Sequence, residues 1–167
     1  MTALDTTPEQ PKTLTRVAVG GAATMAAVVA ARMIARPPRF ELIEQAGPVV
    51  QIHLAAVAVA FAVGAVQLLG PKGTFGHRVL GWSWSLAMMA TAISSLFIKG
   101  VIPGSFSPIH LLSVFVLVAL PGALVAAHRH KVTAHAKAMT SIYLGGMVIA
   151  GGFTFLPGRL MWQVFFG

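Results

Sequence analysis

Apolar runs recur along this chain, each close to the roughly twenty residues a helix needs to cross a bilayer. Short stretches rich in proline, glycine and cations separate them. Read with those breaks, the sequence predicts spans over residues 16–34, 48–69, 77–98, 108–127 and 134–156. Charged residues make up 10% of the 167 positions, against about 25% in a soluble domain. So few charges cannot cover a globule, and the expected solvent is mostly lipid. The expected fold class is therefore all-α: a polytopic membrane protein with five transmembrane helices, the last four forming a four-helix bundle of two repeated hairpins. Residues 1–15 are polar and carry Pro8 and Pro11. They read as a disordered tail ahead of a single transmembrane domain over residues 16–167.

The breaks have local causes. Pro37 and Pro38 stop the first run, because a proline inside a helix lacks the amide donor and clashes with the preceding turn. Gly70-Pro71-Lys72-Gly73 is a turn signal. Lys99-Gly100 and Pro103-Gly104 mark the third connection, and His128-Arg129-His130-Lys131 is a basic fourth one. Pro121 lies inside the fourth run, where a kink is expected. Trp82 and Trp84 read as belt residues, and Trp162, Phe165 and Phe166 as an interfacial tail. The first run carries Gly20, Gly21, Ala22 and Ala23, small residues that let helix backbones approach closely in lipid.

A net charge of +8 would suit nucleic acid if the cations were clustered. They lie in connections instead, where membrane topology places them, so no nucleic-acid partner is expected. With five spans, Lys12, Arg16, Lys72, Arg78, Arg129, Lys131 and Lys137 share the N-terminal side. Arg32, Arg36, Arg39, Lys99 and Arg159 occupy the other. Seven cations against five favour a cytoplasmic N-terminus in a bacterial inner membrane.

Asp5, Glu9, Glu41 and Glu44 are the only acidic residues, and the chain has no cysteine. From Gln45 onward there is no carboxylate pair for acid–base work, no acidic proton relay and no acidic ligand for Ca²⁺ or Mg²⁺. Thiolate chemistry is absent as well. A hydrolase has no nucleophile–base pair with an orienting acid after Glu44, and a proton- or cation-coupled transporter lacks its buried carboxylate. Histidine is the remaining soft donor.

Four histidines stand at the ends of apolar runs. Ile52-His53-Leu54 opens the second span and Ile109-His110-Leu111 the fourth. His77 and His135 open the third and fifth. His53 and His77 are 24 positions apart, and His110 and His135 are 25 apart, so the two hairpins read as parallel repeats. At about 1.5 Å per residue, the two levels would lie roughly 20–30 Å apart. Paired neutral imidazoles with no anionic ligand suit haem iron, and bundle cores are a usual place for such a cofactor. His53 with His110, and His77 with His135, are then the candidate ligands to haem iron, one pair near each face. Arg78 is the leading candidate for a propionate, with Arg36, Arg39, Lys99, Lys131 and Lys137 as further cations. Gly64, Gly81, Gly145 and Gly146 would leave room for a macrocycle. The plainer alternative is that each imidazole only hydrogen-bonds a carbonyl or lies in the headgroup layer.

Two resemblances bear on this. The run His77-Arg78-Val79-Leu80-Gly81-Trp82, with His135, Ala138-Met139 and Tyr143, resembles a family of bacterial multi-pass membrane proteins of unassigned function, over about Pro48 to Arg159. The four-helix core also resembles the transmembrane di-haem cytochromes b that pass electrons from ascorbate or quinol. There, histidines on four consecutive helices form two bis-histidine pairs, and His77 with Leu80-Gly81 looks like the His-x-x-Leu-Gly element at one ligand. The substrate-side motifs of the ascorbate users are not evident. The resemblance implies a b-type haem-binding electron carrier or oxidoreductase subunit, with one or two haem b groups and a quinone or redox protein as partner. The alternative is a cofactor-free accessory or structural subunit of a larger membrane complex.

Overall fold

A computed structural model describes residues 12–98 and 108–167. Every regular element among them is helical. Residues 1–11 of the expected tail and the Lys99-Gly100 and Pro103-Gly104 signals of the third connection lie outside the described residues.

Helix α1 (Lys12–Ala35) starts directly after Pro11. Residues 12–15, expected in the tail, are therefore its first turn; a helix tolerates proline at its very start but not further in. The short α2 (Glu41–Gln45) follows the Pro37-Pro38 stop. Helix α3 (Pro48–Leu69) begins after Gly47. Gly47 has φ +86°, a conformation that costs a residue with a Cβ. Helix α4 (Phe75–Ser95) is capped by the Thr74 hydroxyl, which accepts from the His77 amide. Helix α5 (Pro108–His128) runs through Pro121 as one element, leaving the Leu117 carbonyl without its helical donor. Helix α6 (Val132–Tyr143), a π-helical segment (Leu144–Ile149) and α7 (Ala150–Thr154) follow one another without a break. Helix α8 (Leu160–Phe165) closes the chain.

Among the described residues, three helices are long and apolar enough to cross a membrane: α1, α3 and the stretch His110–His128 of α5. Helix α4 is as long, but its hydroxyls dilute its apolar character. Its serines are locally bonded: Ser83, Ser85, Ser94 and Ser95 donate to the carbonyls of Val79, Gly81, Ala90 and Ala92. A hydroxyl satisfied in this way can sit in an apolar helix. Large side chains such as Ile34, Leu111, Val118 and Leu86 are exposed on the outside, a costly surface in water and an ordinary one in lipid.

Helices α3 and α4 pack as an antiparallel pair; α5 lies against α4, and α6 against α5. The α6–π segment returns to α3, and α1 packs on both. One core joins them, built from Ala60 of α3, Trp84 and Met88 of α4, Leu120 of α5, and Ile142, Tyr143 and Met147 beyond. Its centre depends on Gly64. A Cβ there would collide with the Tyr143 ring and the Trp84 indole. The Tyr143 hydroxyl also donates to the Phe61 carbonyl at 3.1 Å. Trp84 is 3% exposed, so it is a core residue and not the belt residue expected. Trp82, 61% exposed, has the exposure a belt residue needs.

The tail end is clasped to the first connection. Arg39 donates through Nη2 to the Gln163 carbonyl at 2.8 Å, and its amide to Val164 at 3.0 Å. The Arg32 guanidinium lies 5.4 Å from the Phe166 ring centre, and Phe40 meets Phe165 edge-on. Helices α2 and α8 therefore occupy the same end of the molecule.

Candidate functional site

An imidazole in an apolar helix needs a partner for each polar nitrogen, because an unpaired buried donor costs about 1–3 kcal/mol. His53, in the second turn of α3, finds its partner on α4. Its Nδ1 lies 3.0 Å from Ser94 Oγ and 3.2 Å from the Thr91 carbonyl. Ser94 already donates to Ala90 at 2.6 Å, so towards His53 it accepts, and Nδ1 carries the hydrogen. His135, one turn into α6, donates Nδ1–H to the Ala123 carbonyl of α5 at 2.9 Å. In both rings Nε2 keeps its lone pair. An imidazole tied through Nδ1 to a carbonyl is the usual second-shell arrangement of a metal-ligating histidine, and also what the plainer reading expects.

His77 is held through its backbone. Its amide donates to Thr74, and Gln67 Nε2 donates to its carbonyl at 2.8 Å. Its ring is half-buried, and Nδ1 has no hydrogen-bond partner among the described residues. His77 and His135 lie near enough to feel each other electrostatically, with Lys72 a third member of the group. Arg78 stands beside His77, exposed, in the first turn of α4. His110 is half-buried in the first turn of α5. The link between the α3 and α5 ends runs through α4: His53 bonds Ser94, while the adjacent Ser95 shares a 2.5 Å hydroxyl contact with Ser113. Ser113 lies three residues beyond His110, on the same helix face.

Several of these groups were not singled out from sequence. Lys72 seemed only part of a turn, yet its ammonium donates to the carbonyls of Gln67, Leu68 and Gly70 at 2.5, 3.0 and 2.9 Å. It closes the C-terminus of α3, where a cation meets the negative end of the helix dipole. Desolvation holds its pKa below that of a free lysine. Ser94 and Ser95 had a legible signal: adjacent hydroxyls in an apolar run, where polar groups are rarely idle.

The glycines do not leave the expected space. Tyr143 and Trp84 fill the place beside Gly64, Gln67 Nε2 comes within 3.1 Å of a Cβ at Gly81, and Met88 Cε within 3.0 Å of one at Gly146. Leu112 lies at ordinary contact, 3.6 Å, from a Cβ at Gly145. The middle of the molecule is solid side chain, because each missing Cβ is answered by a large group on the next helix. A macrocycle does not fit there. The donor chemistry of the histidines does fit haem iron, at the two ends. No group of three or more histidine or acidic side chains converges among the described residues, so the donor sets are at most pairs.

Comparison with known families decides the membrane question. A family model described as predicted membrane protein (DUF2306) matches residues 50–164. The chain belongs to the DUF2306 family. The match takes in α3 to α8 and every histidine discussed above, and leaves α1 outside. With the apolar helices, it makes this DUF2306 protein a multi-pass membrane protein. The family description assigns no chemistry. No curated protein and no solved structure matches the chain.

Proposed function

We propose that this protein is a b-type haem electron carrier of the bacterial inner membrane, spanning it five times with its N-terminus in the cytoplasm. The last four spans form a bundle of two hairpins: α3 with α4, and α5 with the α6–α7 stretch. His77 and His135 would hold haem iron at one end, and His53 and His110 at the other. The observation that supports this reading is the held ring of His135, whose Nδ1–H is tied to the Ala123 carbonyl so that Nε2 is left as a donor. Bound haem would supply one-electron transfer. The chain's own part is to orient imidazole Nε2 atoms, to exclude water with the Trp84–Tyr143 layer, and to offer Arg78 to an anionic edge group.

The test is a reduced-minus-oxidised spectrum and a pyridine haemochrome assay on purified protein. A b-type α band with up to two haems per chain is expected. His135→Ala should remove one haem and leave the other, and His53→Ala should do the converse. Haem-free protein from haem-replete cells would end the proposal.

A second reading has its own support. The solid middle and the exposed apolar face of α1, of which only Ala18 and Ala22 are buried, suit a cofactor-free accessory subunit. Copurification with a larger complex at fixed stoichiometry and no visible absorbance would select it.

A further inference from the structure

Helices α5 and α6 do not close fully on their outer side. Ala119 and Ala138 face each other there with nothing beyond Cβ, and the gap they leave is a groove of about 370 Å³, within the usual range for a small-molecule pocket. Phe115 forms one wall, and Lys137 and Ser141 lie along the other. From Ala134 to Ile142 the groove follows α6 for about 12 Å. Lys137 is exposed, so its ammonium can reach the headgroup layer while its stem covers the groove. The same end carries Arg129 and Lys131 in the connection between the helices. No acidic residue occurs from Gln45 to Gly167. Within the α5–α6 hairpin these cations have no carboxylate to neutralise them, and the amine of a zwitterionic headgroup has none to meet there.

We propose that this groove binds one anionic phospholipid, with an acyl chain along Phe115, Ala119 and Ala138 and its phosphate at Lys137, Arg129 and Lys131. Basic pockets between membrane helices take anionic headgroups by this chemistry. The proposal is independent of haem binding and needs only the membrane location.

The experiment is native mass spectrometry of the full chain, incubated in mild detergent with equal amounts of phosphatidylglycerol and phosphatidylcholine carrying the same acyl chains. Preferential retention of one phosphatidylglycerol is expected. Lys137→Gln should reduce that preference about fivefold, the worth of one cation near a headgroup. Ala119→Phe fills the groove and should abolish retention of either lipid with all three cations in place. Lys137→Gln leaves the core alone and should hold the lipid-free unfolding temperature, whereas Ala119 packs against the edge of the core and its variant is measured for it. Should Ala119→Phe lower it, the Lys137→Gln result decides. Equal retention of both headgroups, or a preference that survives Lys137→Gln, overturns the proposal. Displacement of the lipid by inorganic phosphate overturns it as well, since the chain would then contribute nothing.

Discussion

Ser94 has a role that composition could not reveal. As acceptor for His53 Nδ1–H, it holds the ring in one tautomer, and hydrogen bonding at that nitrogen makes the opposite one a stronger donor. Ser94→Ala should cost about 0.6 kcal/mol of stability, the mean for a hydrogen bond between membrane helices. On the proposed electron carrier it should raise the midpoint potential of one haem and leave the other unchanged, because a weaker donor stabilises the ferric state less. Redox titration followed at the α band reads both. A drop in stability with two unmoved potentials would show Ser94 to be packing only. At this scale the histidines were legible from sequence, since polar residues at the mouths of apolar runs stand out. Their hydrogen-bond partners were less so, because Thr91 and Ala123 take part through backbone carbonyls that every residue possesses. Lys72 was hidden for a similar reason: a lysine after a helix reads as topology, whereas its ammonium caps α3. Lys72→Met should lower stability by about 0.3–1 kcal/mol, measurable as an earlier thermal transition in detergent.

Between helices, the contact at Gly64 decides whether α3 can reach the rest of the core. Two aromatic groups occupy the space a side chain would need, and neither Tyr143, bonded to Phe61, nor Trp84 has free room to move. Gly64→Val should therefore act as overpacking, at about 1–3 kcal/mol, and should separate α3 from Tyr143. Chemical denaturation in detergent, read through tryptophan fluorescence, would show a lower midpoint and a more exposed Trp84. An unchanged midpoint would mean that the aromatic layer is looser than the geometry implies. The sequence shows why this layer was missed. Gly64, Trp84 and Tyr143 lie on three different helices, and nothing in any one of them marks the other two. The π-helical turn at Leu144–Ile149 was missed as well, because Gly145-Gly146 reads as a packing surface whichever way the backbone winds. Helix boundaries fared better: prolines and glycines punctuate the chain, and α3 matches its expected span at both ends.

For the molecule as a whole, the open matter is which connections share a side of the membrane. Helices α2 and α8 are joined by Arg39 and the Phe40–Phe165 contact. They must lie on one side, so an even number of crossings separates them. The proposed topology puts four between them: α3, α4, α5 and the α6–α7 stretch. Composition alone marks α3 and α5 as spans. Helix α4 and the α6–α7 stretch carry too many hydroxyls, or too irregular a winding, to be recognised that way. The chain has no cysteine, so single-cysteine labelling can resolve this without background. Glu44→Cys and Gln163→Cys should react with a membrane-impermeant maleimide applied to intact spheroplasts. Arg129→Cys and Lys131→Cys should react only after lysis. If α4 and the α6–α7 stretch instead lay on the membrane surface, α3 and α5 would still bring α8 back to the side of α2. The pair at Glu44 and Gln163 would then label as before, whereas Arg129→Cys and Lys131→Cys, just beyond α5, would become accessible from outside. Thr74→Cys, between α3 and α4, should be protected in both cases and serves as the control. Leu96→Cys, just beyond α4, should be labelled from outside if α4 crosses and protected if it does not. Protection of Leu96→Cys would leave a three-span protein, with His53 and His110 near opposite leaflets and the proposed pairs broken.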